Sequence, residues 1–360
     1  DLVAASFGRG FFILDDYSAL REFTEENLNQ KGKLFAPRTA KWFVPRSKIG
    51  NTGADYYFAQ NPEYGAVFTY HLADDYKTAE DIRRDKEIEL NKRNANIPFP
   101  GWEALDAERD EEDASVVLTI QDDQGNIINK ISKRASDGSH RIAWDFSHFN
   151  PYPVSSESPR YNRGGALAKP GTYQASLSLV QNGDVTQLDG PVSFDVKAIY
   201  DRVLKGISYE KYNTYLNEVS ELYNGISAVE DVLSESIKMQ KAMVNALKKA
   251  KILPGSIEPK IAELKADLIR IKKSISGSPS KSEVGEKNPS GLNNYLYNAT
   301  PGLRDSYGPT PLHMKSLEIA KKLLSDLRKE VNSINNIQIP EIEKALKEAG
   351  APYIMGQGID

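Results

Sequence analysis

The chain has 360 residues, 39% of them hydrophobic and 27% charged, with a formal net charge of −4. That length allows two or three domains, each with its own core, and so slight a charge offers no electrostatic footprint for a nucleic-acid partner. The absence of cysteine excludes disulfides and thiolate metal sites, and no apolar run approaches the roughly 20 residues that a membrane-spanning helix needs.

The chain opens Asp1-Leu-Val-Ala-Ala-Ser-Phe-Gly-Arg-Gly-Phe-Phe-Ile-Leu-Asp-Asp16. Leu2 to Ala5 and Phe11 to Leu14 read as two short strands around a glycine turn, a small hairpin or part of a larger sheet. Gly8 and Gly10 are turn glycines and not a phosphate loop, because no helix and no Gly-Lys-Ser/Thr follows. The strand-like start without Met is expected to belong to the C-terminal part of a larger polypeptide. Residues 17–62 are expected to be an irregular linker. Tyr17 to Phe23 forms a helical turn or two, and Pro37, Pro45 and Pro62 prevent long regular structure.

Residues 63–200 carry the alternation of an antiparallel β-sandwich. Gly65 to Leu72 is its first strand. Val116, Leu118 and Ile120 share one face, as do Ile142, Trp144 and Phe146, then Tyr173, Ala175, Leu177 and Leu179, and last Val192, Phe194 and Val196. Asp122-Asp-Gln-Gly125 and Pro170-Gly171 are turns between strands. An insertion at 74–113 holds a charged, solvated helix over Thr78–Asn94, ended by Pro98-Phe-Pro-Gly-Trp102. Phe99 and Trp102 are expected to tuck back onto the sandwich; the alternative is an exposed contact surface. A polar loop from Ser147 to Lys169 is long enough to be functional or disordered.

From Ser208 the period changes. Tyr212, Tyr215, Val219, Leu222, Ile226, Val229 and Leu233 recur at spacings of three and four, a heptad seam. Ser208 caps this helix, which runs to about Lys251. A second stripe holds Ile257, Ile261, Leu264, Leu268, Ile271 and Ile275, and a third holds Leu317, Ala320, Leu324, Leu327, Val331 and Ile334. A last short helix begins at Pro340. Residues 201–360 therefore read as an antiparallel three-helix bundle. The whole is a multidomain β + α chain: strands, an Ig-like antiparallel β-sandwich with a helical insertion, and a helical bundle.

Chemistry is sparse. His71, His140, His148 and His313 have no neighbours at metal-ligand spacing, so each reads as structural or solvent-exposed. Adjacent carboxylates such as Asp15-Asp16 and Asp122-Asp123 fall in turns, and Asp145 reads as a turn residue. There is no Gly-x-Ser-x-Gly and no His-Glu-x-x-His. No catalytic, metal or cofactor site is expected.

The opening segment Asp1–Asp16 resembles the closing strand of the large bacterial BNR-repeat, sortilin-like β-propeller proteins, often labelled glycosyl hydrolases in Bacteroidota and relatives. Gly65-Ala-Val-Phe-Thr-Tyr-His-Leu72 is similar to their first strand after the propeller. Arg141-Ile-Ala-Trp-Asp-Phe146 with Lys169-Pro-Gly-Thr-Tyr173 resembles their Ig-like domain. Leu292-Asn-Asn-Tyr-Leu296 and Glu343 to Pro352 resemble their helical C-terminus. The resemblance implies an upstream propeller, closed by residues 1–16, in a protein exported to the periplasm, outer-membrane surface or exterior. It implies little about activity, because the hydrolase label rests on Asp-box repeats that are blade turns, and none occurs in this chain. The expected function is a non-catalytic interaction module that braces the propeller and binds an envelope or secreted protein. The alternative is an accessory, glycan-binding domain of an enzyme, or less directly of a peptidase or peptide receptor, whose site lies upstream. Candidate partner or glycan contacts are Phe99, Trp102, Tyr152, Arg160, Tyr161 and Arg163.

Overall fold

The structure is a computed structural model, described here for residues 1–8, 10–45, 61–150, 154, 165–200, 206–303, 307–354 and 357, with Tyr209 and Glu210 as backbone only. The fold is mixed, with sheets followed by a helical region. It divides into two compact units, one built on Asp1–Asn150 and Gly164–Val203 and the other on Leu204–Asp360.

The first unit begins with β1 (Leu2–Ser6) and β2 (Gly10–Leu14), an antiparallel hairpin whose strands, among the described residues, pair only with each other. Gly8 and Gly10 have φ of +71° and +103°, the conformation that a tight turn requires and a Cβ opposes. A 3₁₀ turn at Ser18–Glu22 and a single turn α1 (Glu25–Leu28) follow. Two three-residue strands then lie within the stretch expected to be irregular, β3 (Gly32–Leu34) and β4 (Ala40–Trp42). Each is legible only through its partner, because three residues flanked by proline carry too little pattern of their own.

The remaining strands are β5 (Ala66–Leu72), β6 (Ser115–Asp122), β7 (Ile127–Arg134), β8 (Gly138–Trp144), β9 (Gly171–Gln181) and β10 (Asp184–Ala198). They form a five-stranded sheet in the order β4-β10-β9-β6-β7 and a three-stranded sheet in the order β3-β5-β8. All pairings are antiparallel except β4 with β10. Alternate residues of β5, β6 and β9 are buried, as period-two strands with one wet face demand. Both sheets supply one core. Phe68, Tyr70 and Trp144 come from one, Leu118, Leu177 and Phe194 from the other. The Trp144 ring meets Tyr173 edge-on with centroids 5.0 Å apart, and Phe194 meets Phe68 likewise at 5.0 Å. At the β6–β7 turn Asp122 Oδ1 accepts from Gln124 N (3.0 Å) and Asn126 N (2.8 Å). β9 and β10 are joined by Asn182-Gly183, both at positive φ, the turn that matches strand twist.

Between β5 and β6 stand α2 (Ala79–Lys92) and α3 (Trp102–Asp110). The capping box at Thr78 and Asp81 starts α2 where the charge pattern predicts a helix. α3 was not expected; its nine residues, dense in charge, show no apolar stripe.

The second unit contains α4 (Tyr209–Leu247), α5 (Glu258–Ser276), α6 (Pro279–Glu283), α7 (Leu292–Ala299), α8 (Pro311–Ser333) and α9 (Ile339–Glu348). Ser208 Oγ accepts from Lys211 N at 3.4 Å and starts α4. The three predicted stripes are buried along their length. α4 packs against α5, α8 and α9, and α7 packs against α5 and α8. α9 is the last short helix expected from Pro340, whereas α6 and α7 stand beyond the helices expected. Tyr212 and Tyr215 donate from α4 to the carbonyls of Leu303 (2.9 Å) and Ala299 (2.6 Å), fixing the end of α7 and the 3₁₀ turn after it. A π-helical segment, Ile334–Gln338, carries α8 directly into α9.

Candidate contact surfaces

The first candidate surface is the arm formed by α2 and α3. It buries none of its residues. Two helices without a shared apolar core need another means of staying together, and here it is charge. Arg83 Nε lies 2.9 Å from both oxygens of Glu108, its Nη2 donates to Glu108 Oε2 at 2.7 Å, and its Nη1 donates to Glu87 Oε1 at 2.7 Å. The hydrogen bonds to Arg83 hold the Glu108 carboxyl below the usual carboxylate range, and those to Glu108 and Glu87 raise the guanidinium further. At its root, Ala79 N donates to Glu111 Oε2 (2.8 Å), and Arg134 of β7 pairs with Asp81 and with Asp113 (3.0 Å).

The tip of this arm carries Phe99 and Trp102. They do not tuck back onto the sheets: Phe99 is 61% exposed and Trp102 75%. Their rings meet edge-to-face with centroids 4.9 Å apart, so each aromatic supports the other. Gly101, at φ +95°, lies between them as the residue before α3. The prolines at 98 and 100 and this short spacing bring the two rings together, and nothing returns the segment to the apolar core.

Tyr152, Arg160, Tyr161 and Arg163 lie outside the described residues. The described residues on either side of them are joined by hydrogen bonds. Trp144 Nε1 and Asn129 Nδ2 both donate to Ser147 O (2.8 and 2.9 Å), and Ser147 N donates to Asp145 Oδ1 (3.0 Å). His148 N donates to Ala166 O (2.8 Å) and Ala168 N to Phe146 O (2.6 Å), which ties the two ends of the loop together. Burial pushes the His148 imidazole down to about 4, against the opposing charge of Asp122.

The second surface is the β1–β2 hairpin. Its cross-strand pairs place Leu2, Leu14, Ala4 and Phe12 on one face and Val3, Ile13, Ala5 and Phe11 on the other. Every residue of both strands is exposed, Phe11 to 78%. The edge strand β7, by contrast, carries Lys130, Lys133 and Arg134, and Lys133 Nζ donates to Arg141 O of β8 at 3.0 Å. Neither β1 nor β2 holds a charged residue; Arg9 stands between them in the sequence. Its root is clasped. Arg38 bridges Asp1 (3.0 Å) and Asp16 (3.2 Å), Asp16 N donates to Asp1 Oδ1 (3.0 Å), and Arg141 Nη2 donates to Asp16 O (2.6 Å). Neither this clasp nor the Arg83–Glu108 clamp is visible as a spacing in sequence, because each joins residues far apart in the chain.

Among the described residues no cluster of three His, Cys, Asp or Glu could hold a metal ion, and no helix is long and apolar enough to cross a membrane. The histidines have local partners: His71 Nδ1 meets Ser139 Oγ at 3.0 Å, His140 Nε2 meets Asp137 O at 2.9 Å, and His313 Nδ1 accepts from Thr310 N at 3.2 Å. Asp145 closes a turn through Ser147.

No protein-family model and no curated protein matches the chain. Among solved structures it is similar to dimeric latent PorU from Porphyromonas gingivalis, at 14% identity over 39% of this chain and 9% of that one, with a TM-score of 0.22. So slight a likeness carries no argument about fold or function.

Proposed function

We propose that the chain is a non-catalytic interaction module of an exported protein, with an Ig-like sandwich as its β unit. In this reading the β1–β2 hairpin completes a sheet of an upstream β-propeller in the same polypeptide, and the α2–α3 arm contacts an envelope or secreted partner. The observation that carries it is the hairpin, apolar on both faces and, among the described residues, open at both edges. Two strands alone are marginal in water, and uncharged open edges are the kind that other strands add to. The clasp of Asp1, Asp16, Arg38 and Arg141 supports the reading, because it orients the hairpin at its root while leaving its strands accessible.

Hydrogen exchange tests it, with the polypeptide isolated from its native source compared with the 360-residue chain. The hairpin amides are expected to be protected in the native polypeptide and to exchange rapidly in the shorter chain. Rapid exchange in both overturns the reading.

The exposure of Trp102 favours a second reading, an accessory domain that stacks sugars on its aromatic tip. Glycan-array binding that disappears in Trp102→Ala would support it; absence of binding to any polysaccharide overturns it.

A further inference from the structure

The arm is acidic. Between residues 79 and 113 twelve carboxylates face six basic side chains, a net −6, whereas the whole chain carries −4 and the rest of it therefore +2. Most of the α2 carboxylates are neutralised locally, through Arg84, Arg83, Lys92, Lys77 and Arg134. Those of α3 differ. Glu103, Asp106 and Asp110 are exposed, make no ion pair among the described residues, and fall at i, i+3 and i+7 on one helix face. This acidic stripe is about 10 Å long and starts beside Trp102. It disfavours an anionic membrane or polysaccharide as the occupant of the tip.

The helical unit offers the complement. Residues 204–360 carry a net +3, and Lys248, Lys249 and Lys251 cluster in the turn between α4 and α5. All three are exposed and make no ion pair among the described residues. Lys251 N donates to Ala349 O at 2.9 Å, which fixes the turn against the end of α9. Directly after the lysines stand Ile252 and Leu253, the latter 87% exposed. One surface is thus an aromatic pair leading into a row of carboxylates, and the other an exposed Leu leading out of a row of ammonium groups.

From this complementarity we infer that the occupant of the arm is a second copy of the chain, whose α4–α5 turn receives Trp102 and Phe99 while Lys248, Lys249 and Lys251 meet Glu103, Asp106 and Asp110. The inference rests on the reading of the arm as a protein-contact surface and names its partner. The contact joins two different patches, so it is head-to-tail and builds a ring or an open chain.

Sedimentation of the 360-residue chain tests it. The average mass is expected to rise with concentration at ~0.05 M salt and to fall to the monomer at ~0.5 M, because the ammonium–carboxylate contacts are screened. Trp102→Ala is expected to weaken association roughly tenfold or more. A charge swap gives the decisive comparison. A chain with Glu103, Asp106 and Asp110 changed to Lys, and another with Lys248, Lys249 and Lys251 changed to Glu, should each be monomeric alone and associate when mixed. A monomer at every concentration and salt, or no rescue on mixing, overturns the inference. So does association that survives both charge reversals but is lost in Phe11→Asn, which would place the interface at the hairpin. The hydrogen-exchange test of the hairpin reads neither surface of this contact, so the two proposals fail separately.

Discussion

At Gly65 the backbone has φ +124°, and a Cβ built there would overlap the carbonyl of Trp144 on the neighbouring strand β8. Neither can yield, because β5 and β8 are paired from Ala66↔Trp144 onward. Gly65→Ala is therefore expected to destabilise the first unit by about 3 kcal/mol or more, read as a lower denaturant midpoint. His148 makes a second prediction. Its folded value of about 4 lies below its unfolded value of 6.5. Between these two pH values the unfolded chain binds the extra proton, so stability is full above pH 6.5 and falls as the pH drops toward 4. The loss is of order 3 kcal/mol, and His148→Gln should flatten that part of the stability profile. The sequence shows a histidine with no ligand set; it does not show that His148 is half-buried, with its backbone N–H donating to Ala166 O from eighteen residues further along the chain.

Elements were legible in proportion to the number of turns or alternations they contain. The heptad seam of α4 repeats often enough to specify its buried face residue by residue, from Tyr212 to Leu233. β3 and β4 hold three residues each and exist through pairing with β5 and β10. The Asn182-Gly183 turn offered a plain hairpin signal that composition-led reading of the strand pattern passes over. The arm was half legible: its charged helix and aromatic tip could be read, its second helix and the exposure of the tip could not. Because the arm is held by charge, Glu108→Gln should speed amide exchange in α2 and α3 while leaving the denaturant midpoint of the sheets unchanged. Equal exchange rates in wild type and variant would show that the Arg83–Glu108 clamp is dispensable. In the helical unit, Tyr215→Phe removes a buried hydrogen bond to Ala299 O and should cost about 1 kcal/mol in thermal or denaturant unfolding.

At the scale of the molecule the chain holds two cores. Leu118 is fully buried in the first and Leu222 almost so in the second. Units with separate cores are able to fold alone. Leu118→Ala and Leu222→Ala should each cost about 2–5 kcal/mol, and each should lower the transition of its own unit and spare the other. A single transition shifted equally by both would show that the units unfold together. The fold also sets an order of events during synthesis. β4 pairs in parallel with the last strand, Ala40 beside Val196, Trp42 Nε1 donates to Ala168 O (2.7 Å), and Leu34 N donates to Asp189 Oδ2 (2.8 Å). β4, made early, therefore waits for the last strand before it can pair. A nascent chain that has not yet reached Val196 cannot seat β4 in its sheet, however much of the unit has emerged. The five-stranded sheet is completed late, when one strand arrives to engage both β9 and β4.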